Sequence, residues 1–336
     1  MSSRPAPRPP ALPVPATAPG GVAVPVAIVE AEVRAARDFA DASRAAGTRR
    51  AYAADWRRFQ AWSAARGVAP LPADPRAVAT FLAAEAAAGI LPPTVNRRLA
   101  AIGHFHRQAG HPAPQRSAGA APILEVMAGI RRSRAAPPRK AKAADGDVLR
   151  DLLRAISGDG LRARRDRAML AIGMAAALRR SELVALRVED VERRPEGVLL
   201  RIRRSKTDQE GGGAAVAVPD GERLRPVAHL DAWLEAAGII EGPLFRTVTR
   251  AGRVLDRAPC DREVARLVAR AAAAAGYDPR GFAGHSLRAG FITAAARAGA
   301  TVFRIQDVSR HKSLQVLAGY VREEQAFRDH AGEKFL

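Results

Sequence analysis

Residues 285–322 read HSLRAGFITAAARAGATVFRIQDVSRHKSLQVLAGYVR. Helical spacing of apolar residues runs over His285–Ala298 and again over Phe303–Val308. His285 and Arg288 stand three apart, on one face of a helix turn. His311-Lys312-Ser313 follows the shorter helix, and Tyr320 comes nine residues after His311. Upstream, Leu178-Arg179-Arg180-Ser181-Glu182-Leu183 places Arg179 at a helix junction. A strand pattern over Gly197–Arg203 runs into Arg204-Ser205-Lys206-Thr207, which puts Lys206 near a hairpin. A second strand, Ala214–Val218, follows a glycine-rich tip at 208–213. Helical patterns over Asp147–Ile156, Leu161–Leu178, Ser181–Leu186, Leu224–Ala237 and Asp261–Ala275 complete the region. Residues 143–336 are therefore expected to be mostly helical with a small sheet.

Toward the N-terminus the punctuation is helical. Thr48 is placed to cap a helix stopped by Gly67, with Tyr52, Trp56 and Phe59 on one face. Asp74-Pro75 opens a second helix ending near Gly89, with proline at its first position. Pro93-Thr94 opens a third, striped by Val95, Leu99, Ile102 and Phe105 and stopped by Gly110. A short fourth covers Ile123–Ile130. Residues 34–130 thus read as a small all-helical bundle. Residues 131–142 hold six cations, two prolines and no acid, and read as a basic linker. A solvated surface segment is the bland alternative for such a run. Residues 1–33 contain eight of the 24 prolines and little apolar period, which predicts a disordered tail. The whole chain is mainly α with a small β-sheet, in two folded regions.

The length of 336 residues suits two domains. The net charge is +20, carried by 49 arginines and five lysines. Codon bias toward Arg and Ala accounts for part of this, but such a bias need not leave acids so far behind. Nucleic acid leads the partner classes. The single cysteine, Cys260, excludes an internal disulfide framework and any multi-cysteine metal site. The longest apolar run, Ala168–Leu178, is about half of what spans a bilayer. A signal peptide is not seen, and a cytoplasmic location is expected.

No phosphate-cradling glycine loop, metal-spaced histidine pair or carboxylate cluster occurs. His104 and His106 lie two apart and so point to different helix faces. Phosphoryl transfer here would have to run on protein cations. Guanidinium is always charged and binds phosphate oxygens in pairs, which suits Arg179 and Arg288 to a transition state with charge on non-bridging oxygens. Alone, Arg179 would be one surface arginine among many. Of three tyrosines, Tyr52 lies on an apolar stripe and Tyr277 in a Gly-Tyr-Asp-Pro turn. Tyr320 is left as the natural candidate for a nucleophile, whose phenolate two neighbouring guanidiniums would favour, although a lone tyrosine is usually just packed. His285 is the candidate base for its proton. Glu182, three residues after Arg179, is placed to orient that arginine, or to pair with it without catalytic consequence.

The order Arg179, Lys206, His285-x-x-Arg288, His311, Tyr320 resembles that of the tyrosine recombinases, the phage integrase family. Leu-Arg-Arg-Ser-Glu-Leu is similar to the family's first arginine box, Gly284–Arg288 to its second, and Ser309–Ser313 with Tyr320 to its C-terminal box. The resemblance covers roughly residues 34–336. Ala177 departs from the family, which more often carries glycine there, and the hairpin tip is longer than in some members. The resemblance implies a SAM-like core-binding bundle before the linker and an α+β catalytic domain after it, together clamping double-stranded DNA. It implies a 3′-phosphotyrosyl intermediate on Tyr320, Lys206 protonating the departing 5′ oxygen and His311 hydrogen-bonding the phosphate. No ATP, metal or other cofactor would be needed. It further implies strand exchange in a tetramer on two DNA sites, with a C-terminal segment between Phe303 and Leu336 exchanged between neighbours, and accessory DNA-bending proteins as further partners. Arg49, Arg50, Arg97, Arg98, Arg131 and Arg132 are candidates for phosphate contacts, which supply affinity without sequence reading. Two other activities stay open at this point: a type IB topoisomerase-like nicking-closing enzyme, and an inactive DNA-binding protein.

Overall fold

The computed structural model describes residues 44–134, 142–203 and 213–324, with isolated positions between 31 and 39. Lys206, most of the hairpin tip, linker residues 135–141 and residues 325–336 lie outside them, as does nearly all of the proposed tail. The described residues are mostly helical, with one three-stranded and one two-stranded sheet. The chain divides into two compact units, 1–138 and 139–336.

The first unit holds α1 (Ala46–Ala64), α2 (Pro75–Ala87), α3 (Pro92–Gln108) and α4 (Ala121–Ser133). Thr48 is not the cap of α1: the Ala45 carbonyl accepts from the Thr48 and Arg49 amides, so the helix already runs through them. Asp74 does cap α2, its carboxylate accepting from the Arg76 amide at 2.7 Å. Phe59, Val78, Phe81, Leu82, Val95, Ile102 and Ile123 are fully buried between the helices. Trp56 stacks on Phe105 at 4.9 Å. His106 is a core residue. Its Nε2 accepts from the Ala73 amide at 2.9 Å and its Nδ1 lies 2.8 Å from the Ile102 carbonyl, so it is a neutral Nδ1–H tautomer. α4 runs on to Ser133, so Arg131 and Arg132 belong to its last turn rather than to a linker. Cations there favourably meet the negative end of the helix dipole.

In the second unit, α5 (Gly146–Ala155) is capped by Asp145. Helix α6 (Leu161–Ala175) is buried on nearly every side over its second half, as a central helix must be. It packs on α8 (Pro226–Ala237) and on α10 (Ser286–Arg297). Gly173 of α6 makes room for α10, since a Cβ there would lie 2.9 Å from the Leu287 Cδ1. Between α7 (Arg180–Ala185) and α8, strands β1 (Val191–Arg194), β2 (Gly197–Ile202) and β3 (Ala214–Pro219) form an antiparallel sheet. Val198, Leu200 and Ile202 point into the core and Arg201 out, the alternation of a half-buried strand. A short ribbon, β4 (Thr247–Val248) with β5 (Val254–Leu255), precedes α9 (Asp261–Ala274).

The chain ends in α11 (Val302–Ser309) and α12 (Leu314–Glu324). Ile292, Ala296, Ile305 and Leu317 form a separate small core that holds these two helices to α10, with Tyr320 and Val321 packed at its edge. Residues 142–144 bind the turn that leads into α10. The Lys142 amide donates to the Gly281 carbonyl at 2.8 Å and the Ala144 amide to the Ser286 carbonyl at 3.0 Å. Gly290 permits this, because any Cβ there would strike the Ala144 carbonyl.

Candidate active site

The site is built where α6 gives way to α7. The sequence pattern carried α6 to Leu178, but the helix stops at Ala175. Ala177 takes the left-handed conformation, φ +47°, its amide donating to the Met174 carbonyl and the Leu178 amide to the Gly173 carbonyl. This is the helix end normally made with glycine. The turn aims the Ala177 carbonyl at Arg288 and starts α7 with Arg179 just before its first residue.

Glu182, one turn into α7, is almost fully buried and reaches back. Its Oε2 accepts the Arg179 amide at 2.9 Å and its Oε1 the Arg179 guanidinium at 2.6 Å. Burial alone would raise this carboxyl, but the Arg179 amide and guanidinium, with the charge of Arg310, hold it below the usual carboxylate range. Sequence reasoning did not single out Arg310, whose Nη2 binds Glu182 Oε2 at 2.8 Å.

Arg288 lies on α10 and is 1% exposed. Its Nη1 donates to the Ala177 carbonyl at 2.7 Å and its Nη2 to His311 Nδ1 at 3.2 Å. Burial, then the neighbouring Arg179 charge, lower it to about 9, so it stays cationic at neutral pH. Tyr320, half-buried on α12, is close enough to Arg288 to act on it electrostatically. His285 immediately precedes α10 and keeps exposed surface. Desolvation, then the charges of Arg288, Arg179 and Arg180, hold its imidazole below the usual range.

The His311 ring has its tautomer fixed by its partners. A guanidinium can only donate, so Nδ1 is the acceptor toward Arg288. The Ser309 hydroxyl, 2.8 Å from the same nitrogen, donates to it as well. The proton therefore sits on Nε2, which remains to donate outward. Desolvation and four surrounding charged or basic neighbours, Arg288 first, push His311 down to about 4, so the ring is neutral at pH 7. Gln306 Nε2 holds the His311 carbonyl at 2.8 Å.

Five of the six residues picked as catalytic, Arg179, His285, Arg288, His311 and Tyr320, thus meet around the end of α6, from segments 141 positions apart in the chain. Lys206 lies outside the described residues. Tyr277 is committed elsewhere, its hydroxyl donating to Asp151 at 2.7 Å. Among the described residues no group of three or more His, Cys, Asp or Glu side chains could hold a metal ion, and no helix is long and apolar enough to cross a membrane.

The candidate phosphate contacts of the first unit fare unevenly. Arg49 and Arg50 are exposed on α1, and Arg131 and Arg132 on α4. Arg98 is a correction: it is buried between Asp55 of α1 and Glu85 of α2, so its charge serves the bundle. Arg97 is half-exposed, with Nε and Nη2 both on Asp55, at 2.8 and 3.1 Å.

Residues 143–326 match the model of the phage integrase family, and residues 39–111 match the N-terminal SAM-like domain of phage integrases. The chain belongs to the phage integrase family of tyrosine recombinases. It is 35% identical to an integrase/recombinase XerD homolog of Selenomonas ruminantium over 294 residues, 86% of this chain and 85% of that protein. It is 26% identical to the recombinase Cre of Escherichia phage P1, over 79% of this chain and 81% of the relative. In fold, this family member is similar to XerH site-specific recombinase in a post-cleavage complex with a difH substrate, at 18% identity. The TM-score is 0.57, with coverage of 75% of this chain and 70% of that one. It is likewise similar to a lambda integrase dimer bound to a core site, at 17% identity, TM-score 0.56, over 86% and 93% of the two chains. The two family matches fall one on each unit, the SAM-like domain on the first and the integrase family on the second.

Proposed function

We propose that this chain is a site-specific recombinase that cuts and rejoins duplex DNA through a phosphotyrosyl intermediate on Tyr320. The observation that carries the reading is the meeting of Arg179, His285, Arg288 and His311 beside Tyr320, with the histidines neutral and His311 held as an Nε2–H donor. Tyr320 Oη attacks the scissile phosphorus and the bond to the 5′ oxygen breaks. His285, neutral, takes the phenol proton, and Lys206 gives one to the departing oxygen. Three guanidiniums against the single Glu182 carboxylate leave two positive charges at the site. That matches a transition state carrying the phosphate charge and a developing phenolate. His311 Nε2–H donates to a non-bridging oxygen. The phosphotyrosyl ester keeps the energy of the broken bond, so the 5′-OH of a second duplex reverses the step without ATP.

The family relationship and the DNA-bound XerH and lambda integrase structures support a double-stranded DNA partner. Exposed Arg49, Arg50, Arg131 and Arg132 supply phosphate contacts. Strand exchange in a homotetramer on two sites, aided by accessory DNA-bending proteins, completes the reading.

The test is covalent trapping on nicked suicide duplexes drawn from the DNA flanking the gene, with Tyr320→Phe alongside. A denaturing gel should show an EDTA-insensitive protein–DNA adduct that Tyr320→Phe abolishes, and joined products on intact duplexes. Relaxation of plasmids lacking a specific site, with no joined product, would select the topoisomerase-like activity. Site-specific binding without an adduct would leave a DNA-binding protein only.

A further inference from the structure

Arg310 sits in a costly position beside the site. It ends α11 in the left-handed conformation, φ +56°, where an L side chain is strained and glycine is not. Its side chain is only 11% exposed, and its Nε has no acceptor among the described residues. A buried guanidinium with an unmet donor is unfavourable unless its other bonds over-determine it.

Two of those other bonds lead to the site. Nη2 holds Glu182 Oε2 at 2.8 Å, the same oxygen that accepts the Arg179 amide. Nη1 donates to the Ala176 carbonyl at the end of α6, at 3.4 Å, and within its own helix to the Val308 carbonyl at 2.9 Å. Its neighbours in sequence, Ser309 and His311, bond each other at 2.8 Å. Glu182, 1% exposed, is thereby shared between two arginines 131 positions apart. One carboxylate joins the turn that presents Arg179 to the turn that presents His311.

We propose that Arg310 is a positioning residue: by binding Glu182 it fixes the placement of Arg179 relative to His311 across the scissile phosphate. The proposal rests on the recombinase reading given above. It separates two effects that a purely structural arginine would join. Replacing Arg310 by glycine relieves the backbone and removes a buried charge, so folding should not suffer. The alignment of Arg179 and His311 should.

The experiment uses the full-length protein and the suicide duplex, with single-turnover cleavage at saturating DNA, DNA affinity and Tm measured for each variant. Arg310→Gly should keep or raise Tm, hold affinity within about twofold, and slow cleavage about tenfold or more. Arg310→Lys, which keeps a charge beside Glu182, should recover part of the rate. Glu182→Gln combined with Arg310→Gly should be no slower than the slower single variant, because both break one linkage. A cleavage rate within about twofold of the parent for Arg310→Gly overturns the proposal. So does a rate loss that follows Tm, or single losses that multiply in the double variant. Absence of any adduct from the parent protein, on DNA it binds specifically, overturns the recombinase reading itself and Arg310's role with it.

Discussion

Arginine is so abundant in this chain that its position, not its presence, carries meaning. Arg288 was singled out for the histidine one helix turn before it, and Arg179 for its place at a helix junction in a run that resembles the family's first arginine box. The roles of Arg310 and Arg98 were not legible. Each depends on a carboxylate that only the fold brings near: Glu182 lies 128 positions from Arg310, and Asp55 lies 43 from Arg98. A charge count cannot tell a phosphate contact from a buried counter-ion. Ala177 makes the same point for the backbone. The helical pattern read over Leu161–Leu178 runs straight through it, yet it occupies the left-handed position that closes α6. An L-residue there carries about 1–2 kcal/mol of strain that glycine avoids, partly offset by glycine's greater unfolded freedom. Ala177→Gly should therefore stabilise the second unit by about 0.5–1 kcal/mol, read as a raised midpoint in urea unfolding. A lowered midpoint would mean that the Cβ contacts of this fully buried alanine outweigh the strain.

At the scale of elements, the helices were readable from caps, prolines and stopping glycines, and most ends fell within a few residues. The misses have physical causes. β1, Val-Glu-Arg-Arg, has no alternation of its own and is a strand because β2 pairs with it. α12 was not read as a helix, although Leu317 and Val321 stand four apart on its buried side. The stretch was taken as a motif, and a helix of 11 residues held by a four-residue core announces itself weakly. Interhelical glycines are equally silent in sequence, and they differ in what they protect. A Cβ at Gly290 would meet the main-chain carbonyl of Ala144, whereas one at Gly103 would meet the end of the Gln115 side chain. Backbone cannot step aside and a glutamine can. Gly290→Ala should cost about 2–3 kcal/mol or more, while Gly103→Ala should stay within about 1 kcal/mol because gained helix propensity offsets the displaced amide. Equal unfolding midpoints for the two variants would contradict this difference.

At the scale of the molecule, the chain divides into two compact units near residue 138, and the switch from purely helical patterning to helices with strands falls close to that boundary. What composition could not show is that four described histidines, His106, His229, His285 and His311, are all held below the usual histidine range, burial being the first cause in each. In the unfolded chain each takes up a proton near pH 6.5. In the folded chain each resists it. Their contribution to stability is thus complete above about pH 6.5 and is lost as the pH falls from there toward the folded values, about 4 for His311. Tm should be level from pH 8 to 7 and then decline steadily to pH 5 in calorimetry. A Tm that rises on acidification would contradict the neutral assignments. The seam at residues 142–144 has a mechanical meaning as well. This short strip of main chain is stitched to the turn that carries His285 and abuts the helix that carries Arg288. Both contacts are made to backbone, so whatever shifts residues 142–144 shifts the two side chains together.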